Sequence, residues 1–283
     1  MSPQTSSYRK AGSSMTVAHA GAIEQAESAL RGWMIINADD WGRDRPTTDR
    51  SLACFQAHAI SSVSAMVFME DSERAAELAL TWGVDAALHL NFTMAYTARP
   101  SPTRLLQFQE KLSRFLRSHR LAQAIYHPGL RGAFEYVVYA QFDEYERLYG
   151  AAPARIDGHH HMHLAANVLY QHLLPERVVL RRNFSFQSGE KGILNRAYRG
   201  LLDSRLARER HPMADYFYSM PPLEEPRLRR IVALSRNSVV EVETHPVNSD
   251  EFVFLMEGGM RQFGADGTTL ADRYRLRLPV VPS

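Results

Sequence analysis

From Trp33 onward, short apolar runs of strand length alternate with stretches of helical period, the pattern of an α/β chain built on a mainly parallel sheet. The runs predict strands over Met34–Asn37, Val63–Phe68, Ala86–Leu90, Arg155–Asp157, Val178–Arg181 and Val239–Glu243. The clearest predicted helix is Glu135–Tyr149, where Val138, Phe142, Tyr145 and Tyr149 recur at helical spacing and Gly150 with Pro153 supplies the stop. Its aromatic side chains belong in the core. Proline and serine content marks Pro100–Thr103 and Ser219–Pro226 as loops. One domain is expected over 33–283, after a leader spanning 1–32. That leader is flexible at least over 1–14, where it is Ser-rich, free of acidic residues and without the apolar stretch of a secretory signal.

With 45% hydrophobic and 23% charged residues in 283, the chain can bury a sizeable core, which excludes wholesale disorder. Its 33 Lys and Arg nearly balance its 31 Asp and Glu. Only Lys10, Lys111 and Lys191 are lysines, and the arginines are scattered singly or in pairs, so the clustered charge of a nucleic-acid binder is missing. The single cysteine, Cys54, cannot form an internal disulfide and reads as a small buried hydrophobe on a helix. Apolar runs such as Ala65–Met69 and Phe252–Met256 fall far short of the roughly 20 residues of a membrane span. These features predict a soluble, cytoplasmic protein with no membrane span and leave a homo-oligomer open.

Three clusters carry candidate chemistry. Asn37-Ala38-Asp39-Asp40-Trp41-Gly42 puts two adjacent acids at the C-terminal tip of a predicted strand, the edge where α/β folds bind ligands. Two neighbouring carboxylates repel and call for a cation or a raised pKa, although either acid could also cap a following helix. Leu88-His89-Leu90-Asn91-Phe92-Thr93 ends another strand, and His89 alone reads equally as a hydrogen-bonded core residue. In Asp157-Gly158-His159-His160-His161-Met162-His163, four histidines in five positions are hard to explain by packing and point to metal binding. One carboxylate and two imidazoles from three strand ends suit a catalytic divalent metal with coordination left open. A structural zinc site would favour four ligands, often cysteines. No His-Glu-x-x-His motif or phosphate-cradling glycine loop appears. Glu241-Val242-Glu243-Thr244-His245-Pro246 is a fourth strand end, and its histidine could donate a proton. Arg181 or Arg182, at another strand end, could bind a hydroxyl or an anionic substituent of the substrate, or simply carry surface charge.

These four motifs, in this order, resemble those of the YdjC-like carbohydrate deacetylases, a group that includes the chitooligosaccharide and hopanoid-pathway deacetylases. The resemblance runs from about Trp33 to Pro246 and includes Gln141. It implies a single-domain distorted (β/α) barrel and metal-dependent hydrolysis of an N-acetyl group on an amino sugar or glycoconjugate. By position, Asp40, His89 and His159 would hold the metal, with His163 the nearest substitute if its segment is helical. Asp39 would be the base and His245 the acid, whose protonated state a nearby metal cation would disfavour and a neighbouring carboxylate such as Glu241 or Glu243 would favour. Two imidazoles and a carboxylate favour Zn²⁺ and leave Mg²⁺ open. Gly158 stands where the family often has Ser, Glu243 and Thr244 replace a more apolar pair, and Val247 takes a place often held by Gly. The alternatives are a metal-dependent phosphoester hydrolase and a catalytically silent sugar-binding barrel.

Overall fold

A computed structural model describes residues 32–185, 193–263 and 269–277, with 193–198 as backbone only. Among these residues, seven strands form one parallel sheet in the order β5-β4-β3-β2-β1-β7-β6. They are β1 (Trp33–Trp41), β2 (Ser62–Ala65), β3 (Ala86–Leu90), β4 (Arg155–Gly158), β5 (Val179–Leu180), β6 (Tyr216–Ser219) and β7 (Val239–Thr244). The helices between them are α1 (Arg45–Gln56), α2 (Ser72–Trp82), α3 (Thr103–Leu116), α4 (Arg131–Tyr149), α5 (Ala166–Tyr170), α6 (Ile193–Arg208), α7 (Glu225–Leu234) and α8 (Ser249–Met256).

All six predicted strands form, and β6 is an addition that the short aromatic run Tyr216–Tyr218 did not announce. The predicted loop Ser219–Pro226 is shorter than expected, because Ser219 ends β6 and Glu225 with Pro226 opens α7. Proline in the first turn of a helix loses no hydrogen bond, so composition alone misplaced it. The helix predicted from Glu135 starts one turn earlier, at Arg131. Cys54 is buried on α1 as expected, and burial pushes its thiol up to about 12. Residues 1–31 of the expected leader lie outside the described residues. Gly32 already belongs to the barrel, since its N–H donates to the Arg236 carbonyl at 2.7 Å.

The sheet curls into a distorted barrel. Its edge strands β5 and β6 share no ladder, and the segment past β5 bridges to β6: the Ser185 N–H donates to the Phe217 carbonyl at 2.7 Å, and the Phe217 N–H to Ser185 Oγ at 3.1 Å. Outward-facing Ile36, Ala38, Leu88, Ile156, Val240 and Val242 pack into the hydrophobic core. The inward alternation is polar, and Asn37, Asp39, Ser64, His89, Asp157 and Glu241 are all buried. Residues 269–277 close the N-terminal end of the barrel. Met34 N–H donates to the Thr269 carbonyl and Ala271 N–H to that of Met34. The Tyr274 hydroxyl then reaches Glu241 at 2.9 Å, under the Arg155 guanidinium 4.0 Å from its ring.

Candidate metal centre

Successive side chains on a regular strand point to opposite faces, so Asp39 and Asp40 should diverge. They do not, because Asp40 takes a left-handed conformation (φ 66°) where the β1–β2 register slips between Ala38 and Trp41. Gly42, also left-handed (φ 85°), continues the turn against α2, where an added Cβ would lie 3.2 Å from the Ala75 Cβ. Neither acid caps the next helix. That role belongs to Asp44, whose Oδ1 accepts from the Thr47 N–H at 2.9 Å.

Asp40, His89 and His159 offer ligand atoms that lie within 4.8 Å of one another. Asp40 Oδ1 is 3.0 Å from His159 Nδ1 and 3.4 Å from His89 Nε2, while Oδ2 accepts from Arg43 at 2.8 Å. Burial alone would raise the Asp40 carboxyl, but hydrogen bonds and charge from His159 and His89 outweigh it and hold it well below the usual range. The β3–β4 register sets His89 directly beside Asp157, and the His89 Nδ1–H donates to Asp157 Oδ1 at 2.7 Å. That bond leaves Nε2 facing the two β1 acids, as a ligating histidine requires. Burial opposes charge on His89, yet Asp157 and then Asp39 raise its imidazole to about 10. His159 Nε2 is buried with no hydrogen-bond partner among the described residues, an orphaned lone pair that a cation would satisfy.

The four histidines diverge. The segment His159–Leu164 is a 3-10 turn broken by left-handed His160 and His161, so His159 and His163 do not share a helical face. His160 Nδ1 meets the Thr93 hydroxyl at 3.0 Å, and the His161 ring sits edge-on to Phe184 at 4.5 Å. His163 is no substitute ligand: it belongs to neither group of converging ligand atoms among the described residues, and its Nε2–H donates to the Arg181 carbonyl at 2.9 Å. Gly158 makes room for it, because a Cβ there would lie 2.9 Å from the His163 backbone nitrogen and 3.1 Å from Nδ1.

Arg181 corrects the expectation of a substrate ligand. It is 1% exposed, and its nitrogens are taken up by carboxylates inside the barrel. Nη1 and Nη2 fork onto Asp39 at 2.7 and 2.8 Å, Nη2 also reaches Asp157 at 3.0 Å, and Nε reaches Glu241 at 2.7 Å. Its neighbour Arg182 is paired with Asp203 at 2.6 Å. Glu241 and Glu243 therefore turn to the interior rather than to His245. Glu243 lies 3.6 Å from Arg181 and 3.7 Å from His161 Nε2, and burial followed by Asp39 raises its carboxyl well above the ordinary range. His245 follows β7 one residue past Thr244, which pairs with Ala38, so its backbone runs level with Asp39. Its N–H is held by Glu251 at 2.9 Å, and its half-buried imidazole makes no hydrogen bond to the described residues.

Ser64 is a positioning residue that sequence reasoning did not single out, while Asp157 was read only as part of the histidine motif and Glu241 only as a neighbour of His245. Ser64 donates to Asp157 at 2.5 Å. Gln141 accepts from the Asn91 N–H at 2.7 Å and ties α4 to the end of β3. The available signal was the alternation of polar residues on β2, β4 and β7, which parallel strands covered on both faces normally lack.

The chain is 28% identical over 153 residues to a chitooligosaccharide deacetylase of Proteus mirabilis (strain HI4320), across 51% of this chain and 58% of that protein. To one of Yersinia pestis (strain Pestoides F) it is 28% identical over 138 residues, 48% of this chain and 52% of the relative. The matches thus span little more than half the length of these relatives. The crystal structure of an Enterococcus faecalis V583 protein, named as a candidate cellobiose-phosphate cleavage protein, superposes with a TM-score of 0.57. It covers 86% of this chain and 97% of that one at 16% identity, and so shows the fold alone. The model of the YdjC-like proteins matches residues 33–274, strand β1 through the segment that closes the barrel floor, and the chain belongs to that family.

Proposed function

We propose that the chain is a metal-dependent hydrolase that removes an N-acetyl group from an amino sugar. The observation that carries this reading is the convergence of Asp40, His89 and His159 beside a second acid, Asp39, whose Oδ2 lies 4.0 Å from His89 Nε2. Asp40, His89 and His159 would hold one divalent cation, and two imidazoles with a carboxylate favour Zn²⁺ over Mg²⁺. When bound, such an ion polarises the acetyl carbonyl and acidifies water.

The remaining chemistry falls to the chain's own side chains. A carboxylate offers about four lone-pair directions. On Asp39, Arg181 Nη2 and Asn37 occupy Oδ1 and Arg181 Nη1 occupies Oδ2. The direction left over is on Oδ2, the oxygen turned toward His89, and it takes the proton of the attacking water. His245, unengaged at the level of Asp39, gives a proton to the departing amine. Arg181 positions Asp39 and does not touch substrate. The names of the curated relatives support an N-acetylated oligosaccharide as the substrate class.

A phosphoester hydrolase would favour a second metal. The other ligand group, Asp39, His89 and Asp157, shares His89 and has both its acids committed to Arg181, which argues against that reading. Zn²⁺-loaded protein should release acetate from N,N′-diacetylchitobiose and no phosphate from p-nitrophenyl phosphate. Phosphate release without acetate would support the phosphoester reading, and sugar binding without either product would support a silent barrel.

A further inference from the structure

Exposed apolar side chains and cations coincide on one stretch of the barrel rim. Leu121 (69% exposed) and Ile125 (44%) bracket a 3-10 turn, Ala122–Ala124, and Tyr126 meets Tyr170 edge-on at 6.3 Å, itself 63% exposed. Between Glu110 and Glu135 the chain carries no acid, while Lys111, Arg114, Arg117, Arg120 and Arg131 are all exposed, a basic stretch that their single spacing concealed when the cations were read as scattered. Of these five, Arg114 pairs with Glu110 at 2.9 Å. The rim is fastened to the histidine loop, since Gln123 Nε2 donates to the His161 carbonyl at 2.6 Å. Ser113 donates to the Thr93 carbonyl at 2.8 Å, and the Thr93 hydroxyl lies against His160.

A bare polyanion or an acidic protein surface would use the arginines and leave Leu121 and Ile125 in water. Aliphatic tips flanked by arginine, with tyrosine rings beside them, match a bilayer interface instead. Apolar groups enter the headgroup boundary there while cations meet anionic lipid. We propose that this rim docks the protein on an anionic lipid surface, with the mouth of the metal centre turned toward it. The proposal stands apart from the catalytic reading, because it uses none of the site residues.

The test is sedimentation of the full chain with vesicles of phosphatidylcholine alone or mixed with phosphatidylglycerol, with soluble heparin as a lipid-free polyanion. Binding to the mixed vesicles, weakened by salt, is expected. The double variants Arg117→Ser/Arg120→Ser and Leu121→Ser/Ile125→Ser should each lower that binding about tenfold or more, with an unchanged circular dichroism melt. Absence of vesicle binding would overturn the proposal. So would equal binding to neutral and mixed vesicles, or loss of binding in the arginine variant alone with heparin bound as tightly as lipid.

Discussion

Arg181 grips Asp39 in a fork, Nη1 to Oδ2 at 2.7 Å and Nη2 to Oδ1 at 2.8 Å, and so ties the end of edge strand β5 to the end of β1, with β4, β3 and β2 between them in the sheet. Parallel hydrogen bonds of this kind fix direction as well as distance, which a flexible ammonium cannot do. Arg181→Met would leave Asp39, Asp157 and Glu241 buried without their cation and should cost on the order of 3–5 kcal/mol in urea denaturation. Arg181→Lys keeps the charge and should lose less stability, while kcat falls on the order of tenfold with KM little changed.

Asp39→Asn should abolish acetate release and leave Zn²⁺ binding largely intact, because it removes the proton acceptor while Asp40 still ligates. Calorimetric Zn²⁺ titration and acetate release on the same variant check both halves. Equal loss of metal would make Asp39 a ligand.

Asp157→Asn tests the orienting bond at His89. Without a carboxylate on Nδ1–H, the imidazole loses its fixed tautomer and aim, and Zn²⁺ affinity should drop about 10–100-fold. Asp40→Asn would remove a proposed direct ligand and should cost more on the same titration.

His163 makes stability depend on acid. Burial holds its imidazole down to about 4 against an ordinary 6.5. A depressed folded-state value stabilises the fold above the unfolded pKa, and that contribution disappears as the pH falls from 6.5 through 4. It amounts to on the order of 3 kcal/mol. Denaturation curves of His163→Asn should lie below wild type near neutral pH and converge with it over this window.

Gly158→Ser would force a Cβ to 2.9 Å from the His163 amide nitrogen, a backbone atom with little room to give. The expected loss is about 1–3 kcal/mol in thermal or urea unfolding. Weaker Zn²⁺ binding should accompany it, because His159 is the next residue in the displaced turn.

The period of the apolar runs was sufficient to read an α/β chain and six of the seven strands among the described residues, since burying an outer face under helices leaves a mark at every second residue. The four motifs were legible for a related reason. Each lies at a strand's C-terminal tip, where a short polar run interrupts the apolar pattern. The strand β6 escaped notice because its residues Tyr216–Ser219 alternate too briefly to stand out from a loop.

Local sequence could not decide where the polar side chains inside the barrel point. Arg181 looks like a surface or substrate-facing cation until the closure of the sheet brings Asp39, Asp157 and Glu241 around it from three other strands. Glu241 and Glu243 sit four and two residues from His245 in the chain, yet strand alternation and the pull of Arg181 send them inward. The four consecutive-looking histidines likewise part company through two left-handed residues that no periodicity reports. Sequence by itself determined the fold class and the residues at the mouth, because burial and strand ends act locally. Only the tertiary structure decided which of those residues converge as candidate ligands and which hold one another, because partners such as Arg181 and Asp39 are separated by 142 positions.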